Sequence, residues 1–316
     1  MDEAAPGDDP ADLDGLSIER AVDTMIDQGS HPSEVRETLA IVSQDGTVRR
    51  EAVEDTLANA SMVATTAETR VELAAEKLDS ARETADQVSD LDLVSARIDN
   101  FEARLDVIED RSTDLGDAIQ EILAMREEGD LYEIAQRIRR VTNAATEIQR
   151  SADNVQLELD SFEEWLTDAD RRTEELTDDI EALAESVNEL DDVVEKIEGG
   201  SEPESEAAKT WAAAMVRHRV MSLMIDDLRA ELAAFRTWAE REIGSSPSDI
   251  EPRIDDVQAG HEVVGERLAA RAEPEWTAHF DDRLTALDEA LEELVPPVAW
   301  ADVEAVVEEH RLEVQQ

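Results

Sequence analysis

The side chains with the most chemistry to offer in this sequence are five histidines, His31, His218, His261, His279 and His310. Imidazole is a base near neutral pH and a common metal ligand. The spacing here serves neither purpose, because no HExxH run and no i, i+4 histidine pair sets two rings on one helix face. His218 and His261 instead fall on apolar repeats, where a packed ring is expected. Carboxylate pairs recur throughout, since 81 of the 316 residues are acidic. At that density the proximity of two acids carries no information about general acid–base work. Asp45-Gly46 hints at a calcium loop, but Ile41 and Ser43 stand where ligands would be needed. The chain has no cysteine, which excludes disulfides and thiolate metal sites. It has no phosphate-cradling glycine loop and no nucleophile elbow. These residues predict a non-enzymatic protein with no cofactor and no metal site.

Two kinds of residue remain as candidates for docking a partner. Arg137, Arg139 and Arg140 form the densest basic patch, and Arg171 and Arg172 follow further along. Their first expected use is pairing with acids on neighbouring helices; their second is holding an acidic protein or nucleic acid. Five tryptophans, Trp165, Trp211, Trp238, Trp276 and Trp300, are expected to plug irregular layers between helices. Trp300 follows Pro296-Pro297 and would, if exposed, anchor a protein partner.

What positions these residues is read from composition and periodicity. The net charge is −52, and only Lys77, Lys196 and Lys209 are lysines among the 29 bases. Lysine depletion with a large acid excess is the pattern of proteins that work in molar internal salt. There the Debye length falls to about 3 Å and surface self-repulsion is screened. The acidity therefore describes a salt-rich habitat and gives little information about partners. No apolar run approaches the ~20 residues that span a bilayer, and the N-terminus lacks the basic and apolar segments of an export signal. A cytoplasmic protein with no integral membrane association is expected.

Apolar residues recur at alternating steps of three and four. The longest run is Leu131, Ile134, Ile138, Val141, Ala145, Ile148, Ala152, Val155, Leu159, Phe162, Leu166, Ala169, Thr173, Leu176, Ile180, Leu183, Val187, Leu190, Val194 and Ile197. Only Thr173 in it is not apolar. As one helix it would be about 100 Å long. A second run goes from Leu91 to Ile122, and a third from Trp211 to Ala239. Register slips near Leu91, which predicts a kink. Gly129 is expected to end a helix in the left-handed region, and Asp130 to cap the next with Glu133. The resulting organisation is a disordered acidic tail over 1–14, a small helical unit over 15–60 and a long helix over 61–128. A long heptad helix over 130–198, a loop over 199–206 and a heptad helix over 207–243 come next. A helical hairpin over 249–295 and a C-terminal helix over 296–316 complete it. The fold class is all-α, an elongated antiparallel helical bundle or coiled coil; a homo-oligomer joined through the heptad seams is the alternative.

Residues 15–60, with two short helices and Arg49-Arg50, invite comparison with a small winged-helix module. DNA binding needs clustered bases against phosphates, and this segment has more acids than bases. Nucleic acid is therefore not the expected partner, and a helical cap is.

The segment DGTVRREAVEDTLANASMVATTAETRVELA at 45–74, the long heptads and the ending PPVAWADVEAVVEEHR at 296–311 resemble haloarchaeal coiled-coil proteins called halo transducer proteins. The resemblance implies cytoplasmic signal transduction. The chain departs from chemotaxis transducers in having neither their membrane helices nor their glutamine-, asparagine- and alanine-rich kinase-contacting tip. A coiled-coil scaffold for protein partners is the expected role, and a chromosome-associated coiled-coil protein reading DNA through residues 15–60 is the alternative.

Overall fold

The computed structural model describes residues 13–26, 31–200, 203–242 and 249–310; the expected tail thus falls almost wholly outside the described residues. Those described are all-α. They form α1 (Ile18–Ile26), α2 (Pro32–Ala40), α3 (Glu51–Ala85), α4 (Asp92–Met125), α5 (Leu131–Thr167), α6 (Ala169–Glu198), α7 (Glu204–Glu242), α8 (Ile250–Arg271), α9 (Pro274–Glu292) and α10 (Trp300–Glu309). A hairpin of two-residue strands, β1 (Ser43–Gln44) and β2 (Thr47–Val48), lies between α2 and α3. The chain divides into two compact units, Met1–Ala81 with Phe101–Ser161, and Arg82–Asn100 with Phe162–Gln316.

In the first unit the segment expected to be purely helical contains the β-hairpin. Asp45 and Gly46 take positive φ, 52° and 73°, as a two-residue hairpin turn of the Asp-Gly kind requires. This turn geometry by itself accounts for the dipeptide that hinted at a calcium loop. Ser17 bridges to Thr47 beside the hairpin, so the order is bridge, helix, helix, hairpin. The expected boundary at residue 60 is also corrected. Val53, Leu57, Ala60, Ala64, Ala67, Val71, Ala74, Leu78, Ala81 and Ala85 are all buried and keep one unbroken four-three alternation along α3. Helix therefore begins at Glu51, and alanine supplies most of its inner face.

The expected helix over 61–128 is two helices. Residues 86–88 form a 3₁₀ turn and α4 starts at Asp92, where the slip in register predicts a distortion. Between α4 and α5, Gly129 does not adopt positive φ. Its constraint is steric, since a Cβ there would lie 2.7 Å from the carbonyl oxygen of Met125. Asp130 Oδ1 accepts the Glu133 amide at 2.8 Å and caps α5. Arg50 closes the other side of the turn, donating to the carbonyls of Arg126 at 3.0 Å and Gly129 at 2.9 Å. Carbonyls at a helix C-terminus lack intrahelical donors, and a guanidinium satisfies two of them while matching the helix dipole.

Side-chain pairs fix the directions of the neighbours in this unit. Gln149 donates to Val63 O and Gln156 to Arg70 O, seven residues apart on each helix, so α3 and α5 run the same way. Arg104 pairs with Glu158, Arg111 with Glu147 and Arg137 with Glu121, so α4 runs opposite to α5.

In the second unit α6, α7 and α8 pack on one another. Arg217 pairs with Glu189 while Arg97 joins Glu175 to Glu231, and Arg229 and Arg236 pair with Asp255 and Glu251; α7 runs opposite to both neighbours. The helix α9 packs on α7, tied by Arg219 and Asp288. Leu223, Leu287, Leu291 and Val303 make an apolar cluster that brings α10 in. Here the expected C-terminal helix is shorter than 296–316: Val295–Ala299 precede it and α10 begins at Trp300, because two prolines at 296 and 297 cannot supply helical N–H groups.

The expected single helix over 130–198 breaks at Asp168. Its backbone is extended there, with φ −121° and ψ 110°, and its carboxylate accepts the amides of Asp170 and Arg171. The seam arithmetic runs through this point, but the side chains do not follow it. Ala169 is exposed and Thr173 only half-buried, whereas Arg172 is 4% exposed. Arg172 Nη1 donates to Trp165 O and Leu166 O at 3.1 and 3.0 Å, satisfying the last carbonyls of α5 as Arg50 does for α4. Elsewhere the seam side chains are buried against the chain's own helices, so a homo-oligomer through them would have to displace intramolecular packing. Removing the Asp168 cap with Asp168→Ala is expected to cost about 1 kcal/mol; thermal unfolding followed by circular dichroism in molar potassium chloride measures it.

Candidate functional site

The second unit buries ionisable groups at the start of α4 and along α6 and α7. Arg97 is the hub. Its Nη2 lies 2.8 Å from Glu175 Oε1 and 3.1 Å from Glu231 Oε1, and its guanidinium carbon sits 4.2 Å from the centre of the Trp165 ring. Trp165 is fully buried. It meets Trp238 edge-on at 5.5 Å and stacks with Phe162 at 5.6 Å. Arg172 completes the nest, its guanidinium 3.9 Å over Trp238. Two cations over two indoles give favourable contacts of about 0.5–2 kcal/mol each, the ring faces supplying negative potential in addition to the carboxylates.

Glu231 is 8% exposed. Burial pushes its carboxyl up to about 7, against the opposing pull of Arg97 and with help from Asp179, Glu175 and Asp227. Asp179 and Asp227 are raised as well, both chiefly by burial. Asp227 accepts the Val298 amide at 3.0 Å and a bond from the Trp300 side chain, tying the segment before α10 to α7. The four carboxylates thus share Arg97 as their common nearby cation. Chemically Glu231 takes up a proton readily near neutrality, since charging a buried carboxylate is costly.

A second polar feature joins α7 to α8. His218 and His261 stack with centroids 3.7 Å apart and planes 12° apart. His218 Nε2 meets His261 O at 3.2 Å, and His261 Nε2 meets His218 O at 2.8 Å. A carbonyl only accepts, so each ring carries its proton on Nε2. One heptad away, Trp211 Nε1 donates to Leu268 O at 3.0 Å. These are rungs from the side chains of one helix to the backbone of the other. Gly265 makes room, because a Cβ there would lie 2.5 Å from His218 Nε2. Burial, then the neighbouring His261 ring, lowers His218 to about 4, so it is neutral in the fold.

The docking candidates read from sequence are used mainly inside the fold. Arg137 pairs with Glu121 and Glu133. Arg139 reaches Thr38 Oγ1 at 3.1 Å and Glu37 at 3.4 Å, latching α2 to α5. Arg140 is exposed. Arg171 lies 3.7 Å from Glu164, while its neighbour Arg172 turns inward. Trp300 is 37% exposed with its polar edge on Asp227. Sequence reasoning did not single out Arg97, Glu175, Asp179, Asp227 or Glu231. The available signal was Glu231 beside Leu232 on the seam of α7, which is indistinguishable from the many acids flanking seams. Among the described residues no group of three or more histidine or acidic side chains is arranged to hold a metal ion, and no helix is long and apolar enough to cross a membrane. No protein-family model matches the chain, and no curated protein or solved structure matches it.

Two outcomes follow from this geometry. The folded state holds Glu231's proton more tightly than the unfolded chain does, so the stabilisation it confers is full below about 4.5 and lost as pH rises through about 7. Glu231→Gln keeps the shape and removes the ionisation. The variant should match the parent near pH 4.5 and exceed its stability by on the order of 1–3 kcal/mol near pH 8, read from denaturant melts across pH. His218 titrates in the opposite sense, its contribution present above 6.5 and lost as pH falls through about 4; it is common to both proteins and cancels in the difference. Gly265→Ala should expel the His218 ring and destabilise by about 1–3 kcal/mol. In the His218→Ala background the same change should cost much less, a coupling that a double-mutant cycle measures.

Proposed function

We propose that this chain is a non-enzymatic helical scaffold that works by holding protein-binding elements at fixed positions on an elongated antiparallel coiled-coil bundle, in the cytoplasm of a salt-adapted cell. The observation that carries the reading is the use of its polar interior side chains. Arg50, Arg172, Trp211, His218 and His261 all end on backbone carbonyls of other helices or of helix ends, and Arg97 ends on carboxylates of α6 and α7. Each bond fixes where one helix stops or how two helices are registered, which is what a mechanical element needs and a reaction centre does not. Helices of 30 to 39 residues in α3 to α7 are consistent with a rod, each about 45–60 Å long. The resemblance to halo transducer proteins supports a signalling context.

A second reading has one observation in its favour. The bridge, helix, helix, hairpin order over residues 17–48 suits a small winged-helix DNA reader. Against it, Arg36 is spent on Glu19 and Arg50 on the α4–α5 turn.

Small-angle scattering in molar potassium chloride tests the scaffold. A radius of gyration well above the ~20 Å of a compact globule of this length is expected, and a value near ~20 Å overturns the rod. Titration of labelled duplex DNA in the same salt should give no saturable binding; saturable binding would put the DNA reader first.

A further inference from the structure

The protein carries a net charge of −52, so a long uncharged stretch on its surface is informative. Residues 56–67 of α3, TLANASMVATTA, contain no ionisable side chain, and neither does VTNAAT at 141–146 of α5. The twelve-residue run is the longest uncharged run in the sequence, and the fold sets the shorter one beside it. Gln149 donates to Val63 O and Gln156 to Arg70 O, which places each α5 residue beside the α3 residue 86 positions earlier. Residues 142–146 therefore lie level with 56–60.

The outward side of α3 carries its own pattern. Met62, Thr66, Thr69 and Leu73 are exposed and follow a four-three-four spacing, the heptad of the buried seam repeated on the opposite face. Met62 is 64% exposed and Leu73 43%. Together with Thr65 and Arg70 they line one open groove. Arg70 is the single charge in it and is paired with Asp153. Leu157 of α5, 64% exposed, stands level with Val71.

We propose that this neutral stripe on α3, with the adjoining edge of α5, is the docking surface for a second copy of the same chain, packed helix to helix about a two-fold axis near Thr66. Charge decides the occupant. A second copy presents an acidic surface of net charge −52, and the stripe is where two copies meet without setting carboxylate against carboxylate. A closed two-fold contact needs a self-complementary patch, and a heptad stripe of small and apolar side chains centred on residue 66 provides one. Molar salt screens the remaining repulsion while leaving apolar contact intact. This surface is distinct from the buried seams and does not depend on the scaffold reading.

The test is the mass of the full chain by light scattering in molar potassium chloride, over a concentration series up to about 100 µM. A dimer is expected, weakened about ten-fold or more by Met62→Glu, with helicity unchanged because the side chain lies in solvent. The parent has no cysteine, so Thr66→Cys gives a single-site probe that should oxidise to a disulfide-linked dimer, while Asp114→Cys on α4 should not. A monomeric mass throughout, including one in which residues 1–12 of the same chain cover the stripe, overturns the proposal. So does a dimer that ignores Met62→Glu and fails to cross-link through position 66.

Discussion

The shortage of cations governs how this protein is built. There are 29 lysines and arginines for 81 acids, so a positive charge cannot be scattered and left to find a partner. Arginine is the economical choice, because its planar fork makes several bonds from one charge. The structure places these forks where a carboxylate alone would be repelled or a carbonyl left bare. Arg50 and Arg172 each close a helix end, Arg97 joins the buried Glu231 to Glu175, and Arg241 grips Asp90 with two bonds of 2.7 Å. The same logic explains the stacked histidines. Two imidazole rings meeting carbonyls join α7 to α8 without drawing on the limited supply of lysine and arginine.

The legible part of the fold was the part written in large apolar residues. The seams over Leu131–Leu166 and Leu176–Ile197 stand out because leucine, isoleucine and valine recur at the heptad. The inner face of α3 obeys the same rule as strictly, yet six of its ten seam positions are alanine, and alanine is as common outside helix seams as within them. The break at Asp168 was masked for the opposite reason, since the count of three and four continues across it. Ala169 and Thr173 were its weakest positions, and an aspartate directly before them is a capping signal. The hairpin at Asp45-Gly46 offered a strong turn dipeptide, but its strands are only two residues long and no alternating pattern announces them.

The buried cluster was beyond the sequence because its members are brought together only by folding. Arg97 and Glu231 are 134 positions apart, and neither residue type at either place departs from the background of a chain so rich in charge. What distinguishes Glu231 from dozens of other glutamates is lack of water, and exposure is a property of packing. The docking candidates show the converse. Arg137, Arg139, Arg171 and Arg172 were visible as a basic concentration, but local spacing could not tell that Arg172 turns inward and seals a helix end while Arg171 stays at the surface.

The alanine face of α3 carries an implication for how this sequence can drift. Large apolar side chains at a seam tolerate exchange among themselves, since leucine, isoleucine and methionine fill comparable space. A buried methyl group in a close-packed seam has no smaller side chain to trade with except glycine, which weakens a helix, and anything larger must push its neighbours aside. Lineages of this protein should therefore wander freely across the acidic exterior and within the leucine-rich seams, while Ala60, Ala64, Ala67, Ala74 and Ala81 stay as they are.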